Sequence, residues 1–289
     1  MTMIVSVVLV LFLLFLSDMN VGTQKSRTLQ VGLRSRLDHI YTRFNSPCFV
    51  EPDPLQFVRD FKGKADQEII GVIAALLAYG RVSQINKSVD TVVGIMSQRP
   101  YDYILTTRDQ QIARDFSSFS YRFTKPEHML ELIRGIRRVV RTFGSLEQCF
   151  LKGYHPGDDS TIPGLIYLMD HITRDCSYGH LCADPSKKSA CKRHHLFLRW
   201  MIRKDEVDPG PWQGIDRSKL LIPLDTHMFA IGTLLGFTRR KSADITTALE
   251  ITRGFRAINA EDPVKYDFSL TRFGIRNQMN LTQLKEALI

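Results

Sequence analysis

The amino-acid sequence predicts an all-α protein, and three observations support this prediction. Apolar residues recur at intervals of three and four along the chain after Thr23, which is the spacing of one helix face. No segment shows the apolar–polar alternation of a half-buried strand. Asp, Ser, Pro and Gly stand at the ends of the periodic segments, where such residues start and stop helices. A chain of 289 residues can bury a large core in one domain or two.

The predicted helices follow one another with short loops, and no repeat or flexible domain linker separates them. The second helix is predicted from Asp53 as N-cap and Pro54 as first helical residue. The third is capped by Asp66 and is apolar on all sides, so we expect it to be central. In chain order, helices are predicted over Leu29–Phe44, Asp53–Phe61, Ile69–Ala78, Val82–Met96, Pro126–Phe143, Ile162–Cys176, Cys191–Arg203, Asp225–Leu235, Ser242–Ile258 and Asp262–Gly274.

Two features of these elements bear on function. Tyr79-Gly80-Arg81 interrupts the helical pattern directly after the apolar third helix. Asp225 stands at the start of an apolar helical run, within the segment Pro223-Leu224-Asp225-Thr226-His227. A carboxylate in this position is most often a plain N-cap, and it is also available for chemistry if the helix start lies in a cleft.

The charge of the chain favours a polyanionic partner. The net charge is +9, and the residues from 181 to 241 hold twelve Lys or Arg against six Asp or Glu. A basic region of this kind predicts contact with nucleic acid, and a solvated surface is the alternative.

Cysteine usage predicts free thiols in a reducing compartment, because five cysteines are an odd number and a chain of this length needs no disulfides. Cys176, His180, Cys182, Cys191 and His194 lie close together in sequence. Their spacing lacks the paired C-x₂₋₄-C pattern of structural zinc sites, so we expect no metal.

The first 27 residues form a segment of their own, and residues 28–289 are predicted to form a single helical domain. Residues 4–16 are uncharged and almost wholly apolar. Thirteen residues are short for a spanning helix, and the segment lacks the basic start and the cleavage site of a signal peptide. A membrane anchor, a signal peptide and a start codon assigned too far upstream remain open. We expect a cytoplasmic, nucleoid-associated body and leave membrane tethering as an alternative.

Several longer motifs carry a family resemblance. From Leu29 to Leu288 the chain resembles the bacterial family called domain of unknown function 2400. The motifs are Glu51-Pro52-Asp53-Pro54, Leu77-Ala78-Tyr79-Gly80-Arg81, Cys191-Lys192-Arg193, Phe197-Leu198-Arg199-Trp200-Met201, Pro223-Leu224-Asp225-Thr226-His227 and Asp262-Pro263-Val264-Lys265-Tyr266-Asp267. The order of Ile69–Ser88, the basic segment around Lys192 and the Asp225 element also resembles helix-hairpin-helix DNA glycosylases such as endonuclease III. The longer separation of Lys and Asp is closer to the archaeal 8-oxoguanine glycosylases.

The glycosylase resemblance implies a two-lobed helical fold with a cleft between the lobes, and it implies roles for individual residues. Lys192 would attack the sugar of an extruded nucleotide and form a Schiff base. Asp225 would stabilise positive charge on that sugar. A lysine nucleophile must be neutral, and Arg193 could supply the neighbouring cation that favours the neutral form. Tyr79, with Arg81 beside it, is the candidate for the side chain that fills the gap left by the extruded base.

The sequence also departs from the glycosylase pattern. Lys187 and Lys188 stand in the turn where the hairpin of that family has glycines, and they are candidates for phosphate contacts. No cysteine follows Cys191, so the four-cysteine cluster of endonuclease III has no ligands here and we expect no iron–sulfur cofactor. Lys192 could equally be a phosphate contact. His227 is a candidate nucleic-acid contact, with a packed histidine as the commoner alternative.

The leading hypothesis is therefore a DNA N-glycosylase with AP-lyase activity that acts as a monomer on DNA. A non-catalytic nucleic-acid-binding protein and a membrane-tethered interaction protein are the alternatives. In the last case, residues 4–16 would be the anchor, and the basic face would meet anionic headgroups.

Overall fold

A computed structural model describes residues 31–174, 180–275 and 281–288. Within these ranges the protein is helical, and β-structure is limited to two isolated bridges, Tyr121–Thr124 and Ser189–Asp244. The helices are α1 (31–44), α2 (Leu55–Arg59), α3 (Lys64–Leu77), α4 (Val82–Ile95), α5 (Pro100–Thr106), α6 (Asp109–Asp115), α7 (Pro126–Phe143), α8 (Leu146–Gly153), α9 (Ile162–Thr173), α10 (Lys192–Ile202), α11 (Thr226–Leu234), α12 (Ile245–Ile258), α13 (Asp267–Ile275) and α14 (Leu281–Leu288). The all-α prediction is confirmed for the described residues.

Helix α3 lies at the centre of the core, as its uniformly apolar sequence predicts. Every residue from Glu68 to Leu77 is buried, and α3 packs against α2, α4, α5 and α10. Gly71 allows the close approach of α10, because a Cβ at this position would lie 2.8 Å from the Met201 side chain and 3.4 Å from the Phe197 ring. The C-terminal end of α3 lies beside the start of α10, where Arg193 donates to the Leu76 carbonyl.

Several predicted helix starts differ from the observed ones. Helix α3 begins at Lys64, and Asp66 accepts a hydrogen bond from the Tyr101 N–H at the start of α5 instead of capping α3. The N-cap of α12 is Asp244, which accepts from the Thr247 N–H at 3.0 Å, while the Ser242 hydroxyl donates to Asp244. In α12 two polar residues stand near the helix start and the second takes the cap, whereas in α3 the N-cap is Gly63 and a tertiary contact engages Asp66.

The arginine stripe of α7 holds neighbouring helices in place. Arg134 and Arg137 pair with Asp109 of α6 at 2.8 and 2.6 Å. Arg138 donates to the carbonyl oxygens at the end of α9, and Arg141 donates to the Leu105 carbonyl of α5. Their charge is therefore largely taken up by carbonyls and carboxylates within the protein.

The N-terminal segment of residues 1–27 lies outside the described ranges. Among the helices that the structure describes, none is both long enough and apolar enough to cross a lipid bilayer.

Candidate functional site

A cleft of about 410 Å³ lies where the end of α3, the start of α10, the start of α11 and helix α13 meet. Four of the site residues predicted from the sequence line this cleft together: Lys192, Asp225, Tyr79 and His227. Its charged lining is balanced, with three basic side chains and three carboxylates. These are Lys192, Arg199, Arg272, Asp53, Asp225 and Asp267.

Asp225 is both an N-cap and part of the cleft wall. Its Oδ1 accepts a hydrogen bond from the Met228 N–H at 2.8 Å, in the manner of an Asp N-cap. The residue is half-buried, and among the described residues no donor reaches its Oδ2. One carboxylate oxygen fixes the orientation of the side chain, and the other is left for a ligand.

Lys192 is the first residue of α10. Cys191 before it has φ 44°, in the left-handed region, which turns the chain sharply into the helix. The Lys192 Nζ lies 3.4 Å from the Ala78 carbonyl oxygen at the C-terminal end of α3. This contact holds the half-buried amine at the cleft wall, and no ion pair of 4.0 Å or less joins it to a described carboxylate.

Tyr79 is firmly anchored at the rim of the cleft. Its hydroxyl lies 2.7 Å from Thr124 Oγ1 and donates to the Tyr121 carbonyl oxygen at 3.1 Å. The Arg193 and Arg122 guanidinium carbons lie 5.1 and 5.7 Å from its ring centroid. A ring held at its hydroxyl end in this way suits a fixed wall better than a side chain that enters a base stack.

The other residues predicted to contact nucleic acid lie outside the cleft. Arg193 donates to the Leu76 carbonyl at 2.7 Å and to the His180 carbonyl, so it ties α10 to the end of α3 and lines a smaller neighbouring pocket. Lys187 and Lys188 are exposed in the turn before α10, and neither lines the cleft. Arg81 is exposed at the start of α4.

His227 sits against the backbone of α13. A Cβ on Gly274 would lie 2.0 Å from His227 Nδ1, so the imidazole fills the space that this glycine leaves open. This contact combines the packed-histidine alternative with a position in the cleft wall.

The floor of the cleft is a buried ionic network that the sequence analysis did not identify as functional. Arg199 donates to Asp208 at 3.2 Å and to Asp267, and the three side chains are almost fully buried. Arg203 holds Asp208 from its other side and pairs with Asp262 at 3.0 Å. A charged side chain on the apolar face of a predicted helix, such as Arg199, is the sequence signal that points to such a network.

The electrostatics of this floor couple it to Asp225. Burial raises the pKa of Asp267 to about 6, with Arg199 opposing the rise and the neighbouring Asp225 carboxylate adding to it. Asp267 Oδ1 and Arg199 Nη2 are buried without a hydrogen-bond partner in the described part of the chain. Burial also tends to raise the pKa of Asp53, yet Arg272 and Arg199 hold it below its usual value.

The described residues contain no group of three or more His, Cys, Asp or Glu that could hold a metal ion. Cys176 of the sequence cluster lies outside the described ranges. Burial raises the pKa of the Cys182 thiol to about 12 and lowers that of His194 to about 3, so Cys182 is held as a thiol and His194 as a neutral imidazole at neutral pH.

The fold and the cleft define an all-α protein with a lysine, a capping aspartate and an anchored tyrosine around one charged pocket. The chain belongs to the family described as "Protein of unknown function (DUF2400)", whose model matches residues 53–276. That range contains every residue that lines the cleft. Neither the curated proteins nor the solved structures contain a match to the chain.

Proposed function

We propose that this protein processes DNA, as an N-glycosylase with AP-lyase activity that uses Lys192 and Asp225. The observation that carries the proposal is the presence of both side chains in one cleft, although 33 positions separate them in sequence. The helix-hairpin-helix glycosylase-like, two-lobed fold is part of the same proposal. Its support is the order of the α3, α10 and α11 elements around the cleft.

The chemistry assigns each side chain one task. The neutral Lys192 amine attacks C1′ of the sugar and displaces the base, or it condenses with the aldehyde of an existing abasic site and releases water. In the first route the base leaves with a proton, and the C1′–O4′ bond then breaks as O4′ takes up a proton, so that either route gives an imine between Nζ and C1′. Loss of a C2′ proton then breaks the C3′–O bond and releases the downstream strand with its 5′ phosphate, and water hydrolyses the imine to restore the lysine. The Asp225 carboxylate stabilises the positive charge that develops on the sugar.

The geometry of Asp225 fits this role because its capping hydrogen bond fixes the carboxylate before substrate arrives. A preoriented charge needs no reorganisation when the sugar becomes cationic. The apolar part of the lining, with Val82, Ile85 and Leu196, lowers the water content around the reacting carbon and strengthens the interaction.

Borohydride trapping on a duplex with an abasic site tests the proposal. We expect a covalent adduct with the wild type and none with Lys192→Ala. Lys62→Ala is the matched control, because Lys62 is exposed at the other end of the 14-residue α3, about 20 Å away. A wild type that gives no adduct, or a Lys192→Ala variant that gives a normal one, contradicts the lyase proposal.

A non-catalytic nucleic-acid-binding protein is the second candidate, and the exposed Lys187 and Lys188 outside the cleft favour it. It predicts binding that weakens steeply with salt and that Asp225→Asn leaves unchanged, together with no adduct in the trapping assay.

A further inference from the structure

The turn between α6 and α7 carries a conspicuously exposed ring. Phe123 is 64% exposed, and it is the single exposed Phe, Tyr or Trp among the residues that the structure describes. One exposed apolar side chain needs no explanation by itself. Its surroundings, however, are those of a binding surface.

The turn is held rigidly with Phe123 outward. Tyr121 and Thr124 exchange backbone hydrogen bonds of 3.0 and 2.8 Å across it, and Arg122 takes a left-handed φ of 52°. The Tyr79 hydroxyl binds both Tyr121 and Thr124, and the Tyr121 hydroxyl donates to the Tyr79 carbonyl. Collapse of Phe123 onto the protein would break these contacts, so the ring is preorganised in its exposed position.

The turn lies directly beside the cleft. The Arg122 guanidinium carbon lies 5.8 Å from the Phe123 ring centroid and 5.7 Å from that of Tyr79. A Cβ on Gly80, which lines the cleft, would lie 2.5 Å from Arg122 Nη1. Arg122 therefore bridges the exposed ring and the cleft rim.

A second pocket, of about 380 Å³, has Arg122 in its lining. Its basic lining residues are Lys87 of α4 and Arg122, and Ser118 and Ser120 add exposed hydroxyl groups. No carboxylate lines this pocket, in contrast to the balanced charge of the cleft. Two cations with hydroxyl donors and no competing acid form a surface suited to a phosphate.

We propose that this surface binds one strand of nucleic acid beside the cleft, with Phe123 stacked on a base and Lys87 and Arg122 on a backbone phosphate. Alternation of an aromatic ring with cations is the arrangement that binds a strand without reading its sequence. The inference rests on the proposed function in taking nucleic acid as the partner. It replaces Tyr79 by Phe123 as the stacking residue, because Tyr79 is anchored at its hydroxyl, whereas Phe123 is 64% exposed although Arg122 and the His180 ring contact it.

Fluorescence anisotropy with a labelled duplex that carries a stable abasic analogue tests the proposal. We expect Phe123→Ala and Phe123→Leu to raise Kd about tenfold, while Phe123→Tyr stays within about twofold, since stacking needs a ring. Lys87→Gln is expected to lower the slope of log K against log salt by about one, and Lys62→Gln to leave it unchanged. Circular dichroism melting confirms that each variant is folded.

The outcomes separate this inference from the lyase proposal. Binding by Lys192→Ala with the Phe123 and Lys87 effects intact supports the strand surface even when no covalent adduct forms. An adduct that forms normally while Phe123→Ala binds like the wild type overturns the strand surface and leaves the lyase proposal standing. A wild type that binds neither duplex nor single strand overturns the inference, as does a Lys87→Gln variant indistinguishable from Lys62→Gln.

Discussion

Replacement of Arg199 by Met tests whether the ionic floor of the cleft is a structural requirement. Arg199 is 2% exposed and is the partner that holds Asp267, whereas Asp208 keeps a second partner in Arg203. Removal of one member of a buried ion pair costs about 3–5 kcal/mol, because a buried charge loses its partner. We therefore expect Arg199→Met to lower the free energy of unfolding by about that amount and the Tm by roughly 10 °C.

The pH dependence gives a second, independent signature of the same variant. The pKa of Asp267 is raised from 3.8 to about 6 in the native protein, so the native state keeps a proton that the unfolded chain has lost. The contribution of Asp267 to stability therefore falls as pH rises through this window, by about 3 kcal/mol, and is level above it. Without Arg199 the native pKa rises further, and we expect the fall to continue above pH 6.

Urea unfolding at a series of pH values between 4 and 8 measures both effects. Arg114→Met is the matched control, because Arg114 is exposed on α6 and should change stability by less than about 0.5 kcal/mol. Asp267→Asn in the Arg199→Met background removes the buried charge that has lost its partner. It should therefore recover part of the lost free energy of unfolding and remove the added pH dependence. An Arg199→Met protein as stable as the Arg114→Met control, with an unchanged pH profile, would refute a stabilising role for this network.

Three further outcomes are expected from single substitutions. Gly274→Ala should lower the Tm and displace His227, because the new Cβ would lie 2.0 Å from the imidazole. Gly94→Ala is the control, since its Cβ would have no atom within 4 Å, and it should leave the Tm unchanged or raise it. Thermal melting compares the two variants. Asp225→Ala should lower the free energy of unfolding by about 1 kcal/mol, because the helix cap is lost. Asp225→Asn should keep the wild-type stability and lose the covalent adduct. Thermal melting and borohydride trapping on the same preparations measure the two effects. Burial raises the pKa of Glu68 to about 7, so its contribution to stability should fall as pH rises from about 4.5 to 7. In urea titrations Glu68→Gln should therefore abolish the part of the fall between pH 6 and 7, where Asp267 no longer contributes.

Local sequence signals predicted much of the helical framework. The observed α7 spans Pro126–Phe143, the range predicted from Pro at its start and Gly144 after its end, and α3 proved central as its apolar sequence predicted. Short helices such as α5 and α6 were not predicted, because segments of seven residues carry too little periodicity to reveal a face. Their positions are set by tertiary contacts, including the arginines of α7.

The candidate site was predicted in part, for a comparable reason. Asp225 was identified because it stands at a recognisable helix start, and Lys192 was identified through the glycosylase resemblance; the structure places both on one cleft. Arg199 lies on the apolar face of its predicted helix, which indicates burial, but sequence spacing does not show that Asp208 and Asp267 are its partners. Phe123 shows the converse case, since its exposure depends on a turn fixed by Tyr79, far away in sequence.

The two interpretations of Asp225 are compatible because they use different oxygens. Oδ1 accepts the Met228 N–H and fixes the carboxylate at the N-terminus of α11, whereas Oδ2 receives no donor from the described residues. Asp267, buried below, would lose its proton only at the cost of a second negative charge beside Asp225. In the proposed reaction the helix start that Asp225 caps also holds the carboxylate that faces the sugar, and Asp225→Asn is the substitution that separates the two roles.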